Sequence, residues 1–309
     1  MWNVSDYVDD DTHAVVVVYD EIISLTVKFW VYLLVLIPSI ICSLICLGHV
    51  IFNRVVRITL HNHVIAVVLL IGLFNTVTIY PWMLFFFRHQ GVWYRSAIFC
   101  MIWAFIDWGL YFTQTMLFAW ATIERHILIF HSNWLATKQN RFLLHYLPLL
   151  LLLIYCLTFY IIVSFFPFCQ NQFDDTYMIC AALCFTDTYG LYMWDAVVHQ
   201  VLPNVIIVVC SMGLLIRVVY RKYPMRRLLY ARKYRKMTIQ LLSFSLLYLL
   251  FDFPLSLMNL MYLCGLAPDV STTFYEYLLF FNYLMIPMLP FACIISTPGL
   301  KLKVKTFIS

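Results

Sequence analysis

An all-α membrane protein, a seven-transmembrane helix bundle with a short amphipathic C-terminal helix, is the fold class this sequence predicts. Three observations carry that expectation. The 309 residues are 64% hydrophobic and only 11% charged, against roughly 25% charged in soluble domains. The apolar residues gather into long runs near 29–52, 62–87, 98–124, 142–166, 194–217, 237–263 and 275–297, each able to cross a bilayer as a tilted helix. Lys and Arg fall almost entirely on alternate connections. Such a pattern excludes an ordinary soluble core, and no run alternates over about ten residues as a barrel strand would. The predicted organisation is an extracellular segment 1–28, a membrane domain 29–297 and a cytoplasmic tail 298–309.

The elements follow in order. Residues 1–28 carry Asp6, Asp9, Asp10, Asp11 and Asp20 and lack the basic start of a secretory leader, so the first span is expected to act as the signal anchor. Asn3-Val4-Ser5 fits a glycosylation sequon at Asn3, a short and common motif. The connections after spans one, three and five bear Arg54 and Arg57, then Arg125, Lys138 and Arg141, then nine basic residues from Arg217 to Lys236; the tail adds Lys301, Lys303 and Lys305. Only Lys28, Arg88 and Arg95 lie opposite. Because Lys/Arg excess marks the cytoplasm, the N-terminus is expected outside and the C-terminus inside a plasma-membrane protein. Seven spans allow that parity; six or eight do not. The outer side is acidic, with Glu21, Asp174, Asp175, Asp187, Asp269 and Glu276. That charge either steers cationic ligands or is simply solvated.

The third span is the most informative. It runs from Cys100 through Asp107 to Glu124-Arg125-His126. As a regular α-helix it places Cys100 and Arg125 roughly 37 Å apart, and Asp107 and Arg125 close to five whole turns apart on one stripe. An acid and an arginine on one face of a membrane helix need a polar or protein interior to point into.

A helix-top cysteine, an acid seven residues on and a closing acid-Arg-aromatic triplet resemble the third helix of the rhodopsin-like (class A) G-protein-coupled receptors, in a divergent invertebrate form. The resemblance covers nearly the whole chain. It implies that Glu124 restrains Arg125 at rest and that Arg125 meets a heterotrimeric G protein when active, with His126 in place of the usual Tyr. It implies a disulfide from Cys100 to the outer loop, where Cys180 and Cys184 remain equal candidates and Cys169 can form a second bridge. It implies hinge prolines at Pro81, Pro203, Pro254 and Pro290. The departures are plain as well. Phe251-Asp252-Phe253 replaces the usual Cys-Trp-Leu before Pro254, Gly72 stands where the family has its sodium-binding aspartate, and Leu289-Pro290-Phe291-Ala292-Cys293 replaces Asn-Pro-x-x-Tyr.

With the prolines as rulers, the outer halves of spans three, five, six and seven contribute Asp107, Tyr111, Asp195, His199, Asp252, Asn259, Asn282 and Tyr283 as a candidate ligand site. The resemblance matches Asp107 to the acid that binds a ligand ammonium and Tyr283 to the tyrosine bonding that acid. Acids inside a membrane domain each cost at least ~2.5 kcal/mol at the midplane, which makes three of them a functional expectation: a small amine or a basic peptide. The bland alternative is that Asp252 serves structure and Asp195 is solvated at the membrane edge. Trp103, Trp108, Phe280 and Phe281 read as packing or lipid-facing residues.

At the inner face, Arg232, Lys233, Tyr234, Arg235 and Lys236 stand where the family often has an acid at the base of helix six, leaving Glu124 as the one obvious partner for Arg125 and predicting raised basal activity. The basic loop suits anionic lipid and G-protein contact. Residues 300–308 alternate apolar residues with Lys, as a short amphipathic helix on the membrane surface does. No catalytic, metal-binding or cofactor-binding pattern is found, His49, His63, His145 and His199 are scattered in the sequence, and no enzyme activity or nucleic-acid partner is expected. The alternative function is a seven-span proton-coupled transporter using Asp107 and Asp252, though no internal repeat of the kind such carriers favour is visible.

Overall fold

The computed structural model describes residues 23–130, 134, 137–174, 176–220, 239–266 and 272–296. The sequon at Asn3, the basic loop 221–236, Asp175, Asp269 and the tail 298–309 lie outside the described residues. Helix α1 is Leu25–Phe52, opened by Ser24, whose hydroxyl accepts from the Val27 N–H; this side-chain cap starts the helix several residues ahead of the apolar run. A short helix Arg54–Ile58 leads into α2, Leu60–His89, which ends at Gln90 with a left-handed φ of 52°. Helix α3 covers 97–130, α4 138–165, α5 189–220 and α6 Ile239–Leu263. The seventh run splits into α7, Thr272–Asn282, and α8, Met285–Ser296.

Among the described residues, six helices are long and apolar enough to cross a membrane, and the pair α7 and α8, bent by 44°, makes a seventh if it is one span. The bend falls at Tyr283-Leu284, seven residues before the predicted hinge Pro290, which sits inside α8. Pro81 likewise lies inside an unbroken α2. The third run also departs from a regular helix: Phe105–Leu110 forms a π-turn that contains Asp107, so the 3.6-residue ruler does not hold across it. Asp107 and Arg125 still both face the interior.

Three further π-turns share a cause. Phe142–Tyr146, Ala196–Val201 and Tyr248–Asp252 each end two residues before a proline, Pro148, Pro203 and Pro254. Proline offers no N–H to the carbonyl four residues back, and the preceding turn widens; such turns concentrate at functional sites. Here they carry His145, His199 and Asp252.

The core is central to α3, which packs against α2, α4 and α5 while α1 covers α2 and α8. Gly109 lets α3 and α4 close up: a Cβ there would lie 2.9 Å from the Tyr160 Cβ. Two apolar clusters fill the bundle. One, around Trp103, Tyr80 and Phe185, lies at the disulfide-bearing end; the other, around Phe118, Phe244 and Tyr248, lies toward Arg125. The outer surface is apolar too, with Leu34 71%, Val209 62% and Ile295 66% exposed, while carboxylates and amides point inward. This inversion suits a lipid surround.

The loop between α4 and α5 covers one end. Its strands β1, Gln172–Phe173, and β2, Ala181–Ala182, pair antiparallel. Disulfides join Cys100 to Cys180 and Cys169 to Cys184, which settles the choice between Cys180 and Cys184 and assigns the second bridge. Asp174 accepts from the Thr176 hydroxyl and N–H, and these bonds hold its carboxyl below the usual range.

Candidate functional site

Below the disulfide-bearing end lies a cavity of about 140 Å³ lined from α2, α3, α5, α6, α7 and α8. Asp107, Asp195 and Asp252 all line it, with Tyr111, Asn259, Asn282 and Tyr283, and no Lys, Arg or His is among its lining residues. Seven of the eight residues predicted for the ligand site are therefore brought together. The exception is His199. It is fully buried behind Asp195, packed among Phe159, Tyr155 and Tyr160 of α4, because the widened turn ahead of Pro203 directs it to α4 and not to the cavity. Asp195 is only 2% exposed, so it is not a solvated membrane-edge acid. Trp108, read as a packing or lipid-facing residue, lines the cavity.

The three acids differ in how their oxygens are occupied. Asp252 accepts from the Tyr111 hydroxyl of α3 at 2.6 Å, the Asn204 amide of α5 at 2.8 Å and the Asn282 amide of α7 at 3.2 Å. Asn282 also donates to the Tyr111 oxygen at 2.7 Å. The π-turn of α6 thus places one carboxylate where four helices meet. Asp195 accepts from the Tyr160 hydroxyl at 2.6 Å, His199 Nδ1 at 3.0 Å and the Gln200 amide at 3.0 Å. Gln200 is held in turn by Asn259, which donates to its Oε1 at 3.0 Å. Asp107 accepts one side-chain hydrogen bond among the described residues, from the Tyr283 hydroxyl at 3.0 Å. Tyr283 is itself fixed through its carbonyl, which accepts from the Tyr80 hydroxyl. A carboxylate has about four acceptor positions, so Asp107 keeps the most capacity for an incoming donor.

The other end of α3 is closed. Glu124 and Arg125 are each 1% exposed. The Glu124 carboxylate bonds His145 Nδ1 of α4 at 2.6 Å, His145 Nε2 meets His63 Nδ1 of α2 at 3.4 Å, and His63 Nε2 meets the Arg57 carbonyl at 2.6 Å. Two of the four histidines that are scattered in sequence, His63 and His145, meet here, and Glu124 has a partner on α4 besides its neighbour Arg125. His126 turns the other way and bonds the Cys210 carbonyl of α5 at 2.6 Å.

Between the two ends, Gln114 of α3 occupies the space beside Gly72: a Cβ on Gly72 would lie 3.4 Å from the Gln114 Oε1. A longer side chain at Gly72 would meet that amide. No group of three metal-binding side chains occurs among the described residues.

Asn204, Gln200, Tyr160, His145 and His63 escaped the sequence reading. One signal was present for several of them: a polar residue within four positions of a proline in an apolar run, as in His145 before Pro148, Gln200 before Pro203 and Asn204 after it. No protein-family model matches the chain, and no curated protein matches it.

Proposed function

We propose that this protein is a plasma-membrane receptor of the G-protein-coupled kind, binding a small cationic ligand from outside and activating a heterotrimeric G protein from inside. The observation that carries the reading is the unequal occupation of the three carboxylates. Asp195 and Asp252 each hold three donors, whereas Asp107 holds one and lines a cavity that bears acids and, among the described residues, no bases. An ammonium at Asp107 would complete its shell and offset a buried negative charge. A cavity of about 140 Å³ deep among the helices favours a small amine over a basic peptide. The buried Glu124-Arg125 pair at the far end of the same helix supports coupling there. The carrier alternative fits less well, because Asp252 is tied to side chains from three other helices and has little freedom to move a proton.

The test is G-protein activation in transfected cells by an amine panel, comparing wild type, Arg125→Ala and Asp107→Ala at matched surface expression. Truncating one partner of a buried charge pair weakens binding by about 2–5 kcal/mol, so Asp107→Ala is expected to abolish the response at any practical concentration, and Arg125→Ala to abolish it without loss of binding. Loss in Arg125→Ala alone would keep a receptor and discard the amine site. No response in any form, despite good surface expression, would turn attention to substrate uptake.

A further inference from the structure

The chain from Glu124 to the Arg57 carbonyl has a donor count that does not close with ordinary protonation. A backbone carbonyl only accepts, so His63 Nε2 must carry a hydrogen to bond it at 2.6 Å. One hydrogen must lie between His63 Nδ1 and His145 Nε2, which are 3.4 Å apart. One more must lie between His145 Nδ1 and the Glu124 carboxylate at 2.6 Å. That is three hydrogens on three links. A carboxylate and two neutral imidazoles supply two, since a neutral imidazole has one N–H and a carboxylate has none.

We infer that Glu124, His145 and His63 form a proton-binding site that holds one proton beyond that pair of neutral imidazoles. This proton ties α2, α3 and α4 together at the Arg125 end. It has three equivalent homes: on His63 as an imidazolium, on His145 as an imidazolium, or on Glu124 as a carboxylic acid. In each, every link has one donor and one acceptor. Glu124 is 1% exposed and His145 fully buried, so the proton is held away from water. His63 is partly exposed, so the chain leads from a buried acid to the bundle surface and gives the proton a route in and out.

The surroundings fit. On α3, Arg125 adjoins Glu124, and His126 is engaged with α5. On α4, the Tyr146 ring packs edge-on to His145 and lies over His63. The Arg57 guanidinium donates to the Ile51 carbonyl, away from the chain. When the proton leaves, one link loses its donor. The count stands on hydrogen-bond geometry alone and does not depend on the receptor reading.

The experiment uses the full chain in lipid nanodiscs, labelled with ¹⁵N-histidine. Ring nitrogen spectra separate imidazolium from neutral tautomers, with His145→Gln and His63→Gln assigning the signals. Infrared difference spectra against Glu124→Gln report a protonated Glu124. At neutral pH, one imidazolium between His63 and His145, or a carboxylic acid band that Glu124→Gln removes, is expected, titrating as a single proton. Two neutral imidazoles beside an ionised Glu124 would overturn the inference. Glu124→Asp and His145→Asn serve as the assigning variants where a glutamine variant fails to fold. Signalling is a separate arm: breaking one link with His145→Gln is expected to raise basal G-protein activation several-fold over wild type. If Arg125→Ala left all signalling intact, the receptor reading would fall while the spectra still judged the proton site.

Discussion

His199 on α5 and His145 on α4 each sit on a π-turn ahead of a proline, and each bonds a buried carboxylate through Nδ1. They differ in what the far nitrogen meets. His199 Nε2 faces the Tyr155 hydroxyl at 3.1 Å, and that oxygen accepts from the Trp194 indole at 3.1 Å. A hydroxyl both donates and accepts, so this network closes around a neutral imidazole. His145 Nε2 instead faces a second imidazole whose own far nitrogen ends on a carbonyl, and the chain closes only with an added proton. Two sites with the same local geometry thus acquire different chemistry from the residue two bonds away. The carboxylates differ in the same sense: Asp195 keeps two other donors besides its histidine, whereas His145 is the side-chain partner placed on Glu124 from across the bundle.

The contrast can be broken or sharpened by substitution, read as thermal or denaturant stability in nanodiscs. The largest effect is expected from His145→Ala. Removing one member of a buried pair costs about 3–5 kcal/mol, and the neighbouring Arg125 places the expected loss near ~3 kcal/mol. A loss below ~1 kcal/mol would show that the pair contributes little more than an exposed contact. Next comes Gly109→Ala. The added methyl meets Tyr160 at 2.9 Å and pushes away the hydroxyl that Asp195 accepts. Overpacking of this kind costs about 1–3 kcal/mol, and histidine spectra should change at His199 and not at His145. His199→Ala is expected to be the mildest, near ~1 kcal/mol for a lost hydrogen bond, because Tyr160 and Gln200 still hold Asp195. Equal losses for His199→Ala and His145→Ala would erase the distinction between the two networks.

Much of the scaffold was legible in the sequence. The apolar runs located every long helix, since roughly twenty apolar residues leave a chain few other places to go. Their ends were less legible. Ser24 caps α1 by a local side-chain bond, and α5 starts at Tyr189, both outside the apolar stretch that marked the runs. The cavity acids were legible as charges that had no business in an apolar run, and Tyr283 as a partner of Asp107 followed from the resemblance alone. What could not be read was occupancy. That Asp252 gathers donors from Tyr111, Asn204 and Asn282, residues 141, 48 and 30 positions away, depends on how four helices rotate about their axes. The same holds for His63 and His145, 82 residues apart.

Composition and patterning by themselves determined that this chain is helical, that its helices are long and apolar enough for a membrane, and that acids such as Asp107 and Asp252 lie within them. Tertiary structure decided which of those residues keep open valences and which are closed. Burial is set by the solvent, and a sequence records it as hydrophobicity. Hydrogen-bond pairing is set by distances of about 3 Å and by the direction of each donor, which only the packed bundle supplies.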